Sequence, residues 1–401
     1  MGNLLVGISG KEGAGARAVA SVRTFVREHA VLLIAAAAAA VTMLVVPPDG
    51  GYLGYVDWNT LGCLFCVLAV ANAFRYLGAF DRLARLAIER FSTSRSVVMA
   101  LVLTTGVLSM AATNDLALII MLPLSATVLV KAGWARLVAP AFVMQGLAAN
   151  LCGMVLPFGN PQNLYLYSYY ALDLGDFLRT MALPFVLSAA LVVSGTLALT
   201  RGADDKPASM EAVSRLPLGR RRLLAYSLLL ALTALAVFRV VPVWAVALVV
   251  LAVLAYADRR ALKAVDYPLL ITFACFFVFA GNMARMPFLG GTLASLMAAD
   301  GLLASIALSQ VISNVPAAVL LSHFTGQWAP LLVGVNIGGA GTPVGSLASL
   351  IVLQHFISVP RVFSALRGTP DFAAGRFVGL FTVLNVGFLV VLFVACRACG
   401  L

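Results

Sequence analysis

Apolar runs of membrane length fill the chain from about residue 30 to 397, separated by short polar loops. Full spans are predicted near 30–47, 58–75, 178–199, 223–239, 242–256, 267–284 and 375–397. A helix from about 137 is interrupted at 159–163 and resumes to about 170, and another over 328–356 is interrupted at 341–343. Segments 96–132 and 301–324 turn back on themselves, the second after a weakly amphipathic piece near 288–299. The arms of 301–324, about a dozen residues each, are too short to cross a bilayer, so this segment is a re-entrant hairpin. Those of 96–132, about 17 residues each, sit at the lower limit, and charge alone leaves two spans or a hairpin open. Its place in the pattern makes it the counterpart of the shorter hairpin. The predicted fold is an all-α polytopic membrane protein with about nine full spans, two re-entrant hairpins and two broken helices.

Four polar interruptions carry the information: Thr113-Asn114-Asp115, Gly159-Asn160-Pro161-Gln162-Asn163, Ser313-Asn314-Val315-Pro316 and Gly341-Thr342-Pro343. Asn, Thr and Ser cap helix N-termini, and proline is favoured in the first turn. Each interruption therefore reads as a helix start inside a membrane-length segment. In hydrocarbon such a break leaves backbone groups unpaired, and it persists only where it lines a protein-enclosed or watered site, as in secondary transporters.

The interruptions recur in order. Asn72-Ala-Phe-Arg75 ends the second span and Asn282-Met-Ala-Arg285 ends its counterpart. Each is followed by an amphipathic stretch, a hairpin with Asn at its tip (Asn114, Asn314), and a helix broken at Gly-Asn-Pro or Gly-Thr-Pro. One additional span near 223–239 separates the copies, so the second enters the membrane from the opposite side: an inverted-topology repeat. The predicted layout is a tail over 1–29, a first repeat over 30–200, a loop and linking helix over 201–240, and a second repeat over 241–401.

Composition agrees: 62% of residues are hydrophobic and 11% charged. The net charge of +11 does not indicate nucleic acid, because the basic residues alternate by loop. Arg75, Arg82, Arg85, Arg90 and Arg95 fill one loop and Lys131 and Arg136 another. Arg201, Lys206, Arg215 and Arg220 to Arg222 fill a third, and Arg259, Arg260 and Lys263 a fourth. The intervening loops, around Asp49 and Asp57 and around Asp173 and Asp176, are acidic. This positive-inside pattern predicts a bacterial-type inner membrane with a cytoplasmic N-terminus, and the tail lacks a cleavage site after its first apolar run. Trp58, Trp328 and the Tyr165–Tyr170 cluster read as interface belts.

Enzyme chemistry finds little support. His29, His323 and His355 fall near membrane edges or tails, and Gly7-Ile-Ser9-Gly10 and Gly10-Lys11 are fragments of hydrolase and phosphate-loop motifs in the polar tail. Cys63-x-x-Cys66 and Cys396-x-x-Cys399 have no second pair or His nearby, so no transition metal and no cofactor are expected. The tips and breaks offer carbonyls, amides and hydroxyls instead. Carbonyl oxygens suit a hard cation such as Na⁺, and helix N-termini suit an anion, so one site can hold both. Gly338, Gly339, Ser346 and Ser349 fit close helix packing as well as a site. Asp115, the sole carboxylate deep in a membrane segment, is assigned to a coupling cation, Na⁺ or H⁺. Arg75 and Arg285 sit at span ends, where long basic side chains snorkel, although Arg285 lies on the outer side against the charge rule.

Thr113-Asn114-Asp115, Ser313-Asn314-Val315-Pro316 and the run from Gly338 to Ser349 resemble the ion transporter superfamily. It includes divalent anion:sodium symporters, citrate transporters, arsenite permeases and a group of sodium/proton antiporters. The resemblance covers about 30 to 397 and implies a scaffold domain and a transport domain, in a homodimer moving by an elevator-like mechanism. By position it implies coupling-ion sites at Asn114, Asp115, Gly159, Asn160 and Asn163, and at Asn314, Gly341, Thr342 and Pro343. Thr113, Asn114, Asn160, Ser313, Asn314 and Thr342 would contact the substrate. Dicarboxylate symporters carry Ser-Asn-Thr at both tips, where this chain has Thr-Asn-Asp and Ser-Asn-Val. The arsenite branch tends to carry an acidic residue where Asn336 stands, and the antiporters use more intramembrane carboxylates. The expectation is a secondary transporter moving a small anion with Na⁺ or H⁺; the alternatives are an arsenite or antimonite efflux permease and a sodium/proton antiporter.

Overall fold

The computed structural model describes residues 29–88, 91, 93–202 and 219–400. The predicted tail up to residue 28, with its two motif fragments, and Arg90, Lys206 and Arg215 lie outside the described residues.

The described residues form helices joined by short loops and 3₁₀ turns. In chain order the helices are α1 (Ala30–Val45), α2 (Trp58–Leu77), α3 (Ala79–Ile88), α4 (Ser94–Ala111), α5 (Asn114–Lys131) and α6 (Val138–Cys152). Next come α7 (Pro161–Tyr169), α8 (Leu174–Leu199), α9 (Arg220–Val237), α10 (Val243–Ala257), α11 (Arg259–Lys263) and α12 (Tyr267–Ala284). The last five are α13 (Pro287–Ile312), α14 (Asn314–Leu321), α15 (Trp328–Ile337), α16 (Leu347–Val362) and α17 (Ala374–Ala398). Among the described residues, eight helical segments are long and apolar enough to cross a membrane, and five shorter apolar helices accompany them. The chain is an all-α polytopic membrane protein.

Capping explains several starts. Asp57, Asp173 and Asp266 accept backbone N–H bonds at the starts of α2, α8 and α12, which partners donors the first turn leaves free. The amphipathic piece predicted near 288–299 and the first arm of the second hairpin run together as α13, bent at Asp300, whose backbone is non-helical. Asp300 accepts from the N–H of Leu303 and holds Arg397 of α17 at 2.5 Å, so the bend is capped and pinned. The arms of the first hairpin, α4 and α5, have 18 residues each, about 27 Å at 1.5 Å per residue, against a hydrocarbon core of about 30 Å.

The helices pack in two groups that also contact each other, α12 on α14 and α2 on α7. In one, α2 packs on α9, α10 and α11, and α1 on α12. In the other, α4, α5 and α6 pack together and against α8, α16 and α17, while α13 packs on α14 and α15. The two copies of the predicted repeat interleave in the second group, with α16 on α5 and α6 and with α7 on α14 and α15. Phe142 of α6 meets Phe356 of α16 edge-on at 6.3 Å.

Two readings of side chains change. Of the Tyr165–Tyr170 cluster only Tyr169 is exposed as a belt residue would be: Tyr165 is 1% exposed and its hydroxyl pairs with Ser322 Oγ at 2.8 Å, while Tyr170 OH donates to Ser322 O and Thr325 O. Their hydroxyls join α7 to the end of α14. Trp58 is exposed, as a belt residue should be. Arg285 does not simply snorkel. Its guanidinium donates to Asp49 Oδ2 at 2.8 Å and to Tyr55 OH at 3.0 Å, which fastens the loop before α2 onto the end of α12. The Arg285 guanidinium holds the Asp49 carboxyl below its usual range. A depressed carboxyl stabilises above its unfolded pKa and loses that contribution as pH falls through the folded one. The pair should therefore persist at neutral and mildly acid pH. Asp49→Asn should shift thermal stability little, as for other exposed pairs, and thermal unfolding at neutral pH checks this.

Candidate functional site

The first break follows from Pro157. Proline has no N–H, clashes with the carbonyl four residues back and disfavours helical backbone in the preceding residue; here Leu156 is extended at φ −115°, ψ 146° and the helix does not continue. The chain leaves α6 at Cys152, passes a 3₁₀ turn over Gly153–Val155, and re-enters a helix at Pro161 after the extended cap residue Asn160. A methyl group built on Gly153 would stand 2.7 Å from Asn160 Oδ1, 3.3 Å from Ser109 Oγ and 3.4 Å from Ser109 O. One built on Gly159 would stand 2.1 Å from Gly153 O and 3.2 Å from Ser109 O. Oxygens from α4 and from the break thus crowd both glycines, Ser109 O being common to the two. Asn160 Oδ1 is buried there without a hydrogen-bond partner among the described residues.

At the second break α15 ends at Ile337 and α16 begins at Leu347, with Ser346 as the cap accepting from Ser349 N. Thr342 does not start a helix: its N–H donates to Gln310 Oε1 at 2.8 Å and its hydroxyl to Gln310 O. Gln310 Nε2 donates to Gly338 O at 2.6 Å and to Ala340 O at 3.2 Å, so one side chain of α13 straps the unwound loop. The tip of the second hairpin is tied to the same loop, Asn314 N donating to Gly345 O at 3.0 Å. Ser313 beside it takes φ 75°, a conformation uncommon outside glycine.

The register of the two breaks differs from the one their Gly-Asn-Pro and Gly-Thr-Pro triplets suggest. Asn150-x-x-Gly153-x-x-x-Pro157-x-Gly159-Asn160 matches Asn336-x-x-Gly339-x-x-x-Pro343-x-Gly345-Ser346 position for position. The turn bond from Gly159 N to Leu156 O is matched by one from Gly345 N to Thr342 O. Pro343 therefore corresponds to Pro157, and Ser346 to Asn160. The hairpins match likewise, Leu108-Ser109 through Thr113-Asn114 against Leu308-Ser309 through Ser313-Asn314.

Asn336 links the second break's helix to the first break. Its Oδ1 accepts from Gln162 Nε2 at 3.1 Å and Asn160 Nδ2 at 3.4 Å, and its Nδ2 donates to Asn163 Oδ1 at 2.5 Å and Leu332 O at 2.8 Å. Asn163 Nδ2 donates to Met154 O at 3.0 Å, so Asn163 straps the loop while its Oδ1 accepts from Asn336. At the first tip, Asn114 Oδ1 accepts from the N–H of Asp115.

Asp115 lies apart from this cluster. With Thr113 it lines a cavity of about 310 Å³ between the first hairpin tip and the other packing group, bounded also by Asn72, Arg75 and Asp266. One Asp115 oxygen is buried without a hydrogen-bond partner among the described residues. The structure therefore joins Asn160, Asn163 and Gly159 around the first break, and Asn314, Gly341 and Thr342 around the second. Thr113 and Asp115 instead face a separate cavity. Ser109, Asn150 and Gln310 escaped the sequence reading, although the repeated Leu-Ser and Asn-x-x-Gly spacings carried the signal for the first two.

The profile of the citrate transporter family matches residues 18–332. The chain is 32% identical over 333 residues to the inner membrane protein YbiR of Escherichia coli, covering 78% of this chain and 87% of that one. It is 30% identical over 305 residues to the uncharacterized transporter MJ0456 of Methanocaldococcus jannaschii, covering 75% and 81%. With the helical fold and the two broken helices, these matches identify the chain as a membrane transporter belonging to the citrate transporter family.

Proposed function

We propose that the protein is a secondary transporter of the bacterial inner membrane that moves a small anion together with Na⁺ or H⁺ by alternating access. The observation that carries this reading is the group of oxygens at the first break: Ser109 O and Oγ, Gly153 O and the unpartnered Asn160 Oδ1. Neutral oxygens gathered at an unwound backbone suit a hard monovalent cation. The N-termini of α7 and α16, which start at the two breaks, favour an anion beside it. The matching register of the two breaks supports an inverted repeat. The division into two packing groups supports a mobile group moving against a static one, and the family resemblance adds a homodimer. Carboxylates such as citrate are the first substrates to try, given the family profile.

Coupling has a binding signature. If ion and anion share a site, Na⁺ must raise the anion's affinity by the same factor by which the anion raises that of Na⁺. Calorimetric titration of citrate with and without Na⁺ reads this directly; equal affinities in both would sink sodium coupling.

Asp115 favours a second reading in one respect, since a carboxylate with an unpartnered buried oxygen beside a cavity can exchange a proton. Asp115→Asn keeps the shape and removes the proton site. Transport by this variant should lose its response to an imposed pH gradient, and an unchanged response would remove Asp115 from coupling. A sodium/proton antiporter would collapse a pH gradient on Na⁺ addition without any organic anion, and an efflux permease would confer arsenite resistance on a sensitive host.

A further inference from the structure

Asn150 of α6 is 2% exposed, and neither end of its side-chain amide has a hydrogen-bond partner among the described residues. A methyl group built on Gly339 would stand 2.3 Å from Asn150 Nδ2, 2.9 Å from its Oδ1 and 2.9 Å from Asn314 Nδ2. The amide thus lies against the backbone where the second break opens, alongside the amide of the second hairpin tip. We propose that Asn150 is a ligand of the coupling ion at the second break, contributed by the helix of the first; this rests on the sodium-coupled reading above.

The comparison with Asn336 carries the argument. Both residues stand three positions before the glycine of the same motif, and both reach toward the opposite half of the chain. The Asn336 amide is fully engaged, accepting from Asn160 and Gln162 and donating to Asn163 and Leu332 O. It spends its capacity on holding the first break together. Asn150 occupies the matching place at the second break and spends none. A buried amide without a partner is costly, more so where no water of the bilayer core can reach it. A packing role alone would be met better by leucine or alanine. An ion that takes the amide oxygen recovers that oxygen's share of the cost, and a neutral amide oxygen is the ligand type a hard cation accepts from Asn. Gly339 is then required to be glycine, because a side chain there would fill the space the two amides occupy.

The test uses the full-length protein in detergent, its thermal unfolding followed in NaCl with choline chloride holding ionic strength constant. The wild type should gain Tm with Na⁺. Asn150→Ala should need about tenfold more Na⁺ for the same gain in Tm, yet unfold near the wild-type temperature in choline chloride, because its side chain makes no hydrogen bond among the described residues. Asn150→Asp, which keeps an oxygen there, should retain the Na⁺ response. Asn336→Ala should instead unfold earlier in choline chloride. The inference is overturned by an Asn150→Ala protein with wild-type Na⁺ dependence. It is equally overturned if that protein loses stability in choline chloride as Asn336→Ala does. A wild type indifferent to Na⁺ would overturn the sodium-coupled reading itself, and this inference with it.

Discussion

Gly159→Ala should abolish transport. Its added methyl would stand 2.1 Å from Gly153 O and 3.2 Å from Ser109 O, both backbone atoms, so no side-chain rotation relieves the clash. The loop has to move. Overpacking of this kind costs about 1–3 kcal/mol, and here the atoms displaced are oxygens of the proposed ion cradle. Detergent-solubilised variant should therefore unfold several degrees earlier and gain less Tm from Na⁺ than the wild type, with gradient-driven uptake at background. Wild-type uptake by this variant would show that the first break is a packing feature only.

Asn336→Ala is the second large effect. The substitution leaves Gln162 Nε2 and Asn163 Oδ1 buried without partners, while Asn160 Nδ2 retains Asn150 O at 3.2 Å. Each orphaned buried group costs about 1–3 kcal/mol, so stability should fall by about 3 kcal/mol, read as a lower Tm in thermal unfolding. Asn336→Asp should not rescue it, because a second oxygen would face Asn163 Oδ1 in place of the NH₂ that now donates to it. A rescue by aspartate, or a loss no larger than that of a surface substitution, would show that the amide does not tie the breaks together.

Much of this was legible in the sequence because membrane insertion enforces it. Length and apolarity located the spans, and a proline or capping residue in the middle of one cannot be hidden in hydrocarbon. Both tips start helices where Asn114 and Asn314 predicted, and Pro161 opens α7. The second break was misread by a few residues because Gly341-Thr342-Pro343 imitates a helix start. Pro343 instead occupies the place of Pro157 within the unwound loop, and Ser346 provides the cap four residues after Thr342. The straps were less legible. Gln310 and Asn336 act through contacts with residues far away in the chain, and neither carries a local signal. The Tyr165–Tyr170 cluster failed for a similar reason: aromatic composition suggests an interface, but burial depends on α14 packing over α7.

The central claim is that the breaks hold ion and anion together, so that the gradient of one drives the other. It is tested most directly by uptake of citrate and other small carboxylates into proteoliposomes carrying an imposed Na⁺ or H⁺ gradient. The account predicts saturable accumulation of one such anion above its equilibrium level while the gradient lasts, absent in Gly159→Ala. Flux that never saturates, and that continues unchanged when both gradients are collapsed, would contradict it.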